Sequence, residues 1–342
     1  MSHLNRTSLV TAGLLGLGLV LSACGSDSSG GGTSDAGVEG AAQTGTTTAD
    51  DLPDACDEKN PLLGVSLPDT TNPYYVAMQS GFVETGKTNG FDVKVAIADD
   101  DDSNQLAQVQ AFIQQNVCAV ALNPVSSGPS AAIVKALNDA KIPVFTVNVL
   151  VSQKDLDAQD ASVTQFVGAD QAQGGEAQAQ QVLKDMGSTP VVAGIVGFPD
   201  SVTTNQRDEG FEKALGEGNE VRTTVNGKVD PNVSLQVASD MLQGNPDINV
   251  VFGDTGPGTL GALQAVNQLG LADKVSVYGF CAADTSLDGP YKGCAAQEPY
   301  DYAKIVVENV KSYLGGDEIE RTILRPLQTF VSGQTPGEGL LG

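Results

Sequence analysis

The sequence of residues 62–75 is LLGVSLPDTTNPYY. Its first six residues form an apolar run that suits a buried strand, and the polar turn after them ends in two adjacent tyrosines, Tyr74 and Tyr75. Short β-rich runs of this kind alternate with helical stretches from residue 61 onward. Because continuous apolar strands between amphipathic helices are typical of a parallel sheet covered on both faces, the sequence predicts an α/β protein.

This alternation runs twice, over about residues 61–165 and again over about 170–296. It predicts two similar doubly wound parallel-sheet lobes and not one large sheet. Two helices are well marked, over residues 129–140 and 302–314. The predicted strands cover residues 62–67, 91–98, 117–122, 143–148, 165–168, 191–197, 220–225, 248–253, 275–280 and 294–297.

Composition and charge exclude several classes of function. The 342 residues include 18 Lys and Arg against 42 Asp and Glu, a formal net charge of −24, and such an acidic field repels nucleic acid. The single histidine is His3, inside the segment interpreted below as a removable leader. Without imidazole, Ser-His-Asp and Cys-His catalysis and most zinc sites are excluded. We therefore expect that the chain is not an enzyme; a carboxylate-based enzyme would need converging acids, for which Asp69 and Asp254 are the candidates.

The N-terminal segment indicates export. Residues 9–21 form an apolar run too short and too rich in glycine for a comfortable transmembrane helix. Residues 21–24, LSAC, resemble the bacterial lipoprotein lipobox; an ordinary secretory signal with a chance cysteine is the alternative. The resemblance implies a signal peptide over residues 1–23 and a lipid on Cys24 that anchors an extracytoplasmic protein to the cell membrane. Small and polar residues then predict a flexible tether over residues 24–60.

Four further cysteines remain, an even number in an oxidising compartment. Of the three possible connectivities we favour Cys56–Cys118 and Cys281–Cys294. Cys56 lies just before the first strand and Cys118 begins a strand expected beside it, while Cys281 and Cys294 enclose a short loop. Buried free thiols are the alternative, and no cysteine spacing suits a metal.

Ligands of doubly wound sheets bind at the carboxyl ends of the strands. The residues at these ends are mostly amides, hydroxyls and aromatics, which suit a polar, uncharged, hydroxyl-rich ligand. Tyr74 and Tyr75 can pack against the C–H face of a sugar ring, although Tyr75 could instead pack inward from a helix. The strand-end positions are residues 69–75, 123–124, 148, 199–207, 254–255, 281 and 297.

Two other patterns resemble a cofactor site and a metal site, but neither is complete, so we expect no cofactor and no metal. Residues 256–261 match the dinucleotide-binding pattern G-x-G-x-x-G, but Pro257 removes an amide donor and the next strand ends at Cys281 instead of an acidic residue. The acidic run 99–102 lacks the Gly and Glu that a calcium-binding EF-hand loop needs at its sixth and twelfth positions. We expect a solvated loop with a helix N-cap there.

Six short motifs follow one another in order: NPYY at 72–75, LNP at 122–124, IPV at 142–144 leading to Asn148, RDEGF at 207–211, GTLGAL at 258–263 and VYGF at 277–280. Over residues 61–331 they resemble the ribose/galactose-type substrate-binding proteins of ABC importers. The resemblance implies a type I periplasmic-binding-protein fold, in which two lobes joined by three crossovers close over a sugar.

On this resemblance, residues 61–168 and 297–324 form the N-terminal lobe, and residues 169–296 and 325–342 form the C-terminal lobe. It also implies a monomer that delivers its ligand to an ABC permease. A sensor that presents its closed form to a membrane receptor or kinase is the alternative. A transcription regulator of similar architecture is excluded, because a leader and linker stand where a DNA-binding motif would be needed.

The resemblance also implies a ligand site that departs from the ribose binders. Where those proteins place charged ligand residues, this chain has Asn148, Asn205 and Cys281, and Arg207 matches a neighbouring structural arginine. A polyol, a deoxysugar or a less polar sugar derivative is therefore as well suited as a pentose. The predicted ligand-binding residues are Asn72, Tyr74, Tyr75, Asn123, Asn148, Asn205, Asp254, Thr255 and Gln297.

Overall fold

Strands and helices alternate along residues 43–342, the part of the chain that the computed structural model describes. The predicted signal peptide, Cys24 and the first part of the predicted tether lie outside these residues. The strands are β1 (Thr46–Thr47), β2 (Leu62–Leu67), β3 (Asp92–Ile97), β4 (Ala119–Leu122), β5 (Val144–Val147), β6 (Gln165–Ala169), β7 (Val192–Gly197), β8 (Glu220–Asn226), β9 (Val250–Gly253), β10 (Ser276–Phe280), β11 (Tyr291–Ala296), β12 (Ile319–Glu320), β13 (Thr322–Arg325) and β14 (Gln328–Val331).

Helices fill most connections between these strands, as the periodicity predicts. The helices are α1 (Pro73–Asn89), α2 (Asp102–Gln114), α3 (Ser130–Asp139), α4 (Gln153–Ala158), α5 (Gln171–Met186), α6 (Val202–Leu215), α7 (Pro231–Gly244), α8 (Gly256–Gln268) and α9 (Pro299–Leu314), with a 3₁₀ turn at Asp54–Asp57. All ten predicted strands are present within a few residues of their expected ends. Within the described residues, β1, β12, β13 and β14 were not predicted; each has at most four residues, too few for a clear pattern.

Two six-stranded sheets form two lobes, which confirms the predicted α/β architecture. The N-terminal sheet has the order β13-β6-β5-β4-β2-β3 and is parallel throughout. The C-terminal sheet has the order β14-β11-β10-β9-β7-β8, with only the edge strand β14 antiparallel to its neighbour. The chain crosses between the sheets after β6, after β11 and between β13 and β14.

Both faces of each sheet are covered, so the interior strands are largely buried on both sides. In β4, all four residues are buried. Helices α1 and α9 cover one face of the N-terminal sheet, where Met78, Phe82 and Val306 pack against Val65. This arrangement brings the carboxyl ends of the parallel strands of both sheets to the cleft between the lobes.

Two disulfides are present in the described residues, Cys56–Cys118 and Cys281–Cys294. The favoured pairing is confirmed, and the alternative of buried free thiols is wrong. Each bond lies in a different lobe: Cys118 directly precedes β4, and Cys294 lies in β11.

Residues 43–60 differ from the tether that their composition predicts. In the structure, Thr46 and Thr47 pair with β12, and Leu52 packs against the core of the N-terminal lobe. Cys56 ties the same stretch to the lobe through its disulfide. Composition could not indicate this, because each of these contacts is made with residues distant in sequence. Among the described residues, no helix is both long and apolar enough to cross a membrane.

Candidate ligand-binding cleft

A cavity of about 600 Å³ lies between the two lobes, at the carboxyl ends of their strands. Its volume is in the range of small-molecule sites. Residues that follow strands of both sheets line it, together with Gln297 at the second crossover, so a ligand held there contacts both lobes. Six of the nine predicted ligand residues line the cavity: Asn72, Tyr74, Tyr75, Asn148, Thr255 and Gln297.

The turn after β2 positions Asn72 at the cavity. A carboxylate oxygen of Asp69 accepts hydrogen bonds from the backbone N–H groups of Thr71 (2.5 Å) and Asn72 (2.7 Å), which fixes the turn. Asn72 then caps α1, since its side-chain oxygen accepts from the N–H of Tyr74 at 3.0 Å, and Pro73 occupies the first helical position. The side-chain amide of Asn72 is the group that can donate to a ligand.

Tyr74 and Tyr75 are both buried in the N-terminal core and both line the cavity. Their rings meet edge to face with centroids 5.6 Å apart. The Tyr74 hydroxyl donates to the side-chain oxygen of Asn148 at 3.0 Å. Asn148 itself has a left-handed backbone, with φ of 65°. The two alternatives for Tyr75, inward packing and ligand contact, therefore do not exclude each other, because Tyr75 belongs to the core and also lines the cavity.

Thr255 and Gln297 bring polar groups from the C-terminal sheet. Thr255 caps α8, with its hydroxyl oxygen accepting from the N–H of Gly258 at 3.1 Å. Gln297 follows β11 at a crossover, is 1% exposed, and accepts a long hydrogen bond of 3.4 Å from the side chain of Gln171. Both side chains are thus positioned by hydrogen bonds within the protein itself.

Three predicted ligand residues do not line the cavity. The Asn123 side chain turns into the N-terminal core, where its amide donates to the sulfur of Met78 at 3.4 Å. The Asn205 amide donates to the carbonyl of Pro199 at 3.1 Å, which holds it away from the cleft. The Asp254 carboxylate lies under the cleft wall, where it accepts from the N–H of Phe198 at 2.7 Å.

Arg207, interpreted from the sequence as a structural residue, lines the cavity as well. It is 3% exposed, and its guanidinium lies 3.6 Å above the ring centre of Phe280. Its Nε donates to Gln171 at 2.7 Å and its Nη1 donates to the backbone carbonyl of Asp254 at 2.6 Å. Arg207 therefore combines both roles: it fixes the wall of the C-terminal lobe and brings positive charge to the cleft.

The carboxyls of the buried Asp254 and the half-buried Asp208 lie near this guanidinium. Burial raises the pKa of Asp254 to about 7, against the opposing effect of Arg207. Burial, followed by the charge of Asp254, raises the pKa of Asp208 to about 9. Asp208 therefore carries a proton at neutral pH, and Asp254 is the carboxyl that can offset the charge of Arg207. The carboxylate-based enzyme alternative needs Asp69 and Asp254 to converge. The fold instead brings Asp254 close to Asp208.

Part of the acidic run after β3 also reaches the cavity. Asp101 is the N-cap of α2, as expected, with its carboxylate accepting from the N–H of Asn104 at 2.9 Å. Asp100 and Asp102 line the cavity, which the sequence did not indicate. Burial and the nearby Asp69 raise the pKa of Asp100 to about 6.

Hydrogen bonds join the lobes across the cleft. The backbone N–H of Ser127 donates to the carbonyl of Asp200 at 3.1 Å, and the Ser127 hydroxyl accepts from the N–H of Val202 at 2.8 Å. The N–H of Leu150 donates to the hydroxyl of Thr203 at 2.9 Å. The lobes are therefore in contact at the rim of the cavity.

The described residues contain no group of three or more His, Cys, Asp or Glu that could hold a metal ion. The glycines of the G-x-G-x-x-G pattern serve close packing at the start of α8. The N–H of Gly256 donates to the carbonyl of Gly342 at 3.1 Å, and a Cβ on Gly261 would lie 2.4 Å from that of Ser234.

Residues 63–318 match the family model of the periplasmic binding protein domain. The chain belongs to this family. The resemblance inferred from the six motifs is thereby confirmed, together with the type I periplasmic-binding-protein fold. Relatives in this family are substrate-binding proteins of ABC importers and not enzymes, so the expectation that the chain is not an enzyme is also confirmed.

Several relatives of this periplasmic-binding-protein chain are named for sugars. The ribose import binding protein of Bacillus subtilis (strain 168) is 30% identical over 275 residues, which cover 79% of this chain and 87% of that protein. A solute-binding protein from Bacillus halodurans C-125 with bound myo-inositol has a TM-score of 0.72 at 24% identity, covering 80% of this chain and 96% of the other. One from Actinobacillus succinogenes 130z with bound D-allose has a TM-score of 0.72 at 24% identity, covering 80% and 98%. Both structures share the fold.

Proposed function

We propose that this protein captures a neutral polyhydroxyl ligand, a sugar, sugar derivative or polyol, and delivers it to an ABC permease. The observation that carries the proposal is the composition of the interlobe cavity. Amide and phenol groups approach from the N-terminal lobe, and hydroxyl groups approach from the C-terminal lobe. Such groups can donate and accept hydrogen bonds, as sugar hydroxyls do.

The state of the charged groups supports a neutral ligand. Nε and Nη1 of Arg207 are already bonded to Gln171 and Asp254, so the guanidinium is not free to clamp an anion with both of these donors. The neighbouring Asp254 carboxylate offsets part of its charge. An anionic ligand would have to displace these contacts, whereas a neutral ligand leaves them in place.

The relatives support the same ligand class, because ribose, D-allose and myo-inositol are all compact polyhydroxyl molecules. A thermal-shift screen of the purified protein with D-ribose, D-allose, myo-inositol and L-amino acids tests the proposal. Binding to the folded state alone raises the free energy of unfolding by about 2.7 kcal/mol at a hundredfold excess over Kd. We expect a rise of several degrees in Tm with at least one of the three polyhydroxyl compounds and none with amino acids. The reverse pattern would contradict the proposal.

We also propose that the protein acts at the outer side of the cell membrane, held there by a lipid on Cys24. The lipobox-like residues 21–24 support this, and the disulfides are consistent with an oxidising compartment. Labelling with a clickable fatty acid should mark the parent and not Cys24→Ala, and the variant should be released or left unprocessed. Equal incorporation in both would refute lipidation at Cys24.

A further inference from the structure

Residues 340–342, here called the return segment, lie beyond β14 and run back to the cleft. Leu341 forms a two-way backbone pair with Gln297, in which the N–H of Gln297 donates to Leu341 at 2.7 Å and the N–H of Leu341 donates back at 3.0 Å. Gln297 is the residue at the second crossover that lines the cavity. The return segment therefore adds a short antiparallel bridge directly beside the ligand site.

The end of the return segment is inserted between two strand ends of the C-terminal lobe. The N–H of Gly342 donates to the carbonyl of Cys281, just after β10, at 3.0 Å. The carbonyl of Gly342 accepts from the N–H of Gly256, at the start of α8, at 3.1 Å. Gly342 itself lines the cavity, next to Thr255. Gly342 thus fills a corner of the cavity between Gly256, which follows β9, and Cys281, which follows β10.

This corner accepts no side chain. A Cβ on Gly342 would lie 2.2 Å from the backbone nitrogen of Cys281 and 2.5 Å from the carbonyl carbon of Phe280. A Cβ on Gly256 would lie 2.7 Å from the carbonyl oxygen of Gly342. Since these neighbours are backbone atoms, they cannot rotate away. The two glycines therefore allow two main-chain segments to approach closely at the edge of the cavity.

The return segment is also anchored in both lobes. Leu340 packs against the core of the C-terminal lobe that contains Leu287 and Tyr291. Leu341 packs against the core of the N-terminal lobe that contains Tyr302. Because one leucine packs against each lobe, the return segment is held in a fixed position beside the cavity.

We propose that the return segment is a specificity-determining wall of the ligand site, which limits the size of the polyhydroxyl ligand at the C-terminal strand ends. The inference rests on the proposed function, because it concerns the same cavity. Displacing Gly342 enlarges this corner. It should weaken binding of the best-fitting compound and shift preference toward larger ligands.

Gly342→Ala tests the inference, with Gly337→Ala as the matched control. A Cβ on Gly337 would meet only the Leu340 side chain, at an ordinary 3.5 Å. The probes are D-ribose, D-allose and myo-inositol, measured by calorimetry on parent and variants. For the probe that the parent binds most tightly, Gly342→Ala should raise Kd about fivefold or more. The preference for D-ribose over the two larger probes should fall, and Gly337→Ala should match the parent within about twofold.

A second variant separates the wall from folding. A chain that stops after Leu341 keeps the pair with Gln297 and lacks Gly342 with its two backbone hydrogen bonds, so it should show the same shift in preference with only a small loss of Tm. If the parent binds a probe and both altered chains keep its affinities within about twofold, the return segment is not a wall of the site. If the parent binds none of the three probes, the proposed function fails, and this inference fails with it.

Discussion

The N-terminal lobe faces the cleft with phenol and amide groups and with two carboxyls, whereas the C-terminal lobe faces it with hydroxyls and the guanidinium of Arg207. On the first side, Tyr74 and Asn148 are joined by one neutral hydrogen bond. On the second side, the buried Arg207 lines the cavity, with the buried Asp254 and the half-buried Asp208 close to it. Neutral hydrogen bonds contribute about 1 kcal/mol each, whereas unbalanced buried charges cost several. The two walls should therefore respond very differently to substitution.

The largest effect is expected for Arg207→Met. The change leaves the buried carboxyls without their cation and removes the donors to Gln171 and the Asp254 carbonyl. The free energy of unfolding, measured by denaturant titration, should fall by about 3–5 kcal/mol. Arg222→Met in the same lobe is the control, because Arg222 is exposed where it pairs with Glu220 and Asp247 and should contribute no more than about 1 kcal/mol. Equal losses in the two variants would show that burial of the charge is not decisive.

The disulfides provide a second comparison between the lobes. Cys56–Cys118 closes a separation of 62 residues and Cys281–Cys294 one of 13. In the chain-entropy description, their loss costs about 4 and about 3 kcal/mol respectively. Denaturant unfolding of the two paired Cys→Ala variants should show the larger loss for the N-terminal bond. The opposite order would mean that the native contacts of the shorter loop outweigh chain entropy.

Asp208→Asn should change how stability depends on pH. Because the pKa of Asp208 is about 9 in the folded protein and near 3.9 in an unfolded chain, the folded state retains a proton that the unfolded state releases. This contribution is fully present below pH 4 and is lost as the pH rises toward 9. The variant, which stays neutral, should therefore gain Tm relative to the parent between pH 5 and pH 9.

The exposed Glu217, two residues beyond the end of the same helix, supplies the control for this experiment. Glu217→Gln should follow the parent's Tm profile. If the Tm values of Asp208→Asn and the parent changed in parallel from pH 5 to pH 9, Asp208 would be ionised in the folded protein.

The smallest expected effect belongs to the neutral hydrogen bond between Tyr74 and Asn148 in the N-terminal lobe. Tyr74→Phe and Asn148→Ala each remove one partner of the 3.0 Å hydrogen bond. In a double-mutant cycle on unfolding free energy, the pair should couple by about 1 kcal/mol. A coupling energy near zero would show that the two side chains are positioned independently, by packing alone.

The fold and the N-terminal wall could be predicted because their signals are local. A strand, a polar turn, an asparagine cap and a proline follow one another over residues 62–73, and each constrains the next. Asn148 likewise directly follows its strand. At both places, chain order alone brings the side chain to the carboxyl edge of the sheet.

The C-terminal wall could not be predicted in the same way. Arg207 reaches the cavity because α6 packs closely on α5, where a Cβ on Gly175 would lie 1.9 Å from the Arg207 carbonyl oxygen. Gly342 reaches it by pairing across the fold with residues near 256, 281 and 297. Asn123 failed for a related reason, since its position after β4 was correct but its side chain turned toward Met78. Contacts distant in sequence decide all three, and no local pattern encodes them.

The hydrogen bonds that Ser127 and Leu150 make to the opposite lobe use protein atoms only. They break whenever the lobes separate, and they contribute the same free energy whichever molecule is held between them. Such bonds raise the population of the binding-competent state and so multiply every affinity by one common factor. Weakening them by Ser127→Ala would leave the ranking of ligands unchanged. The rim of the cleft thus governs how tightly the protein binds, and its interior governs what it binds.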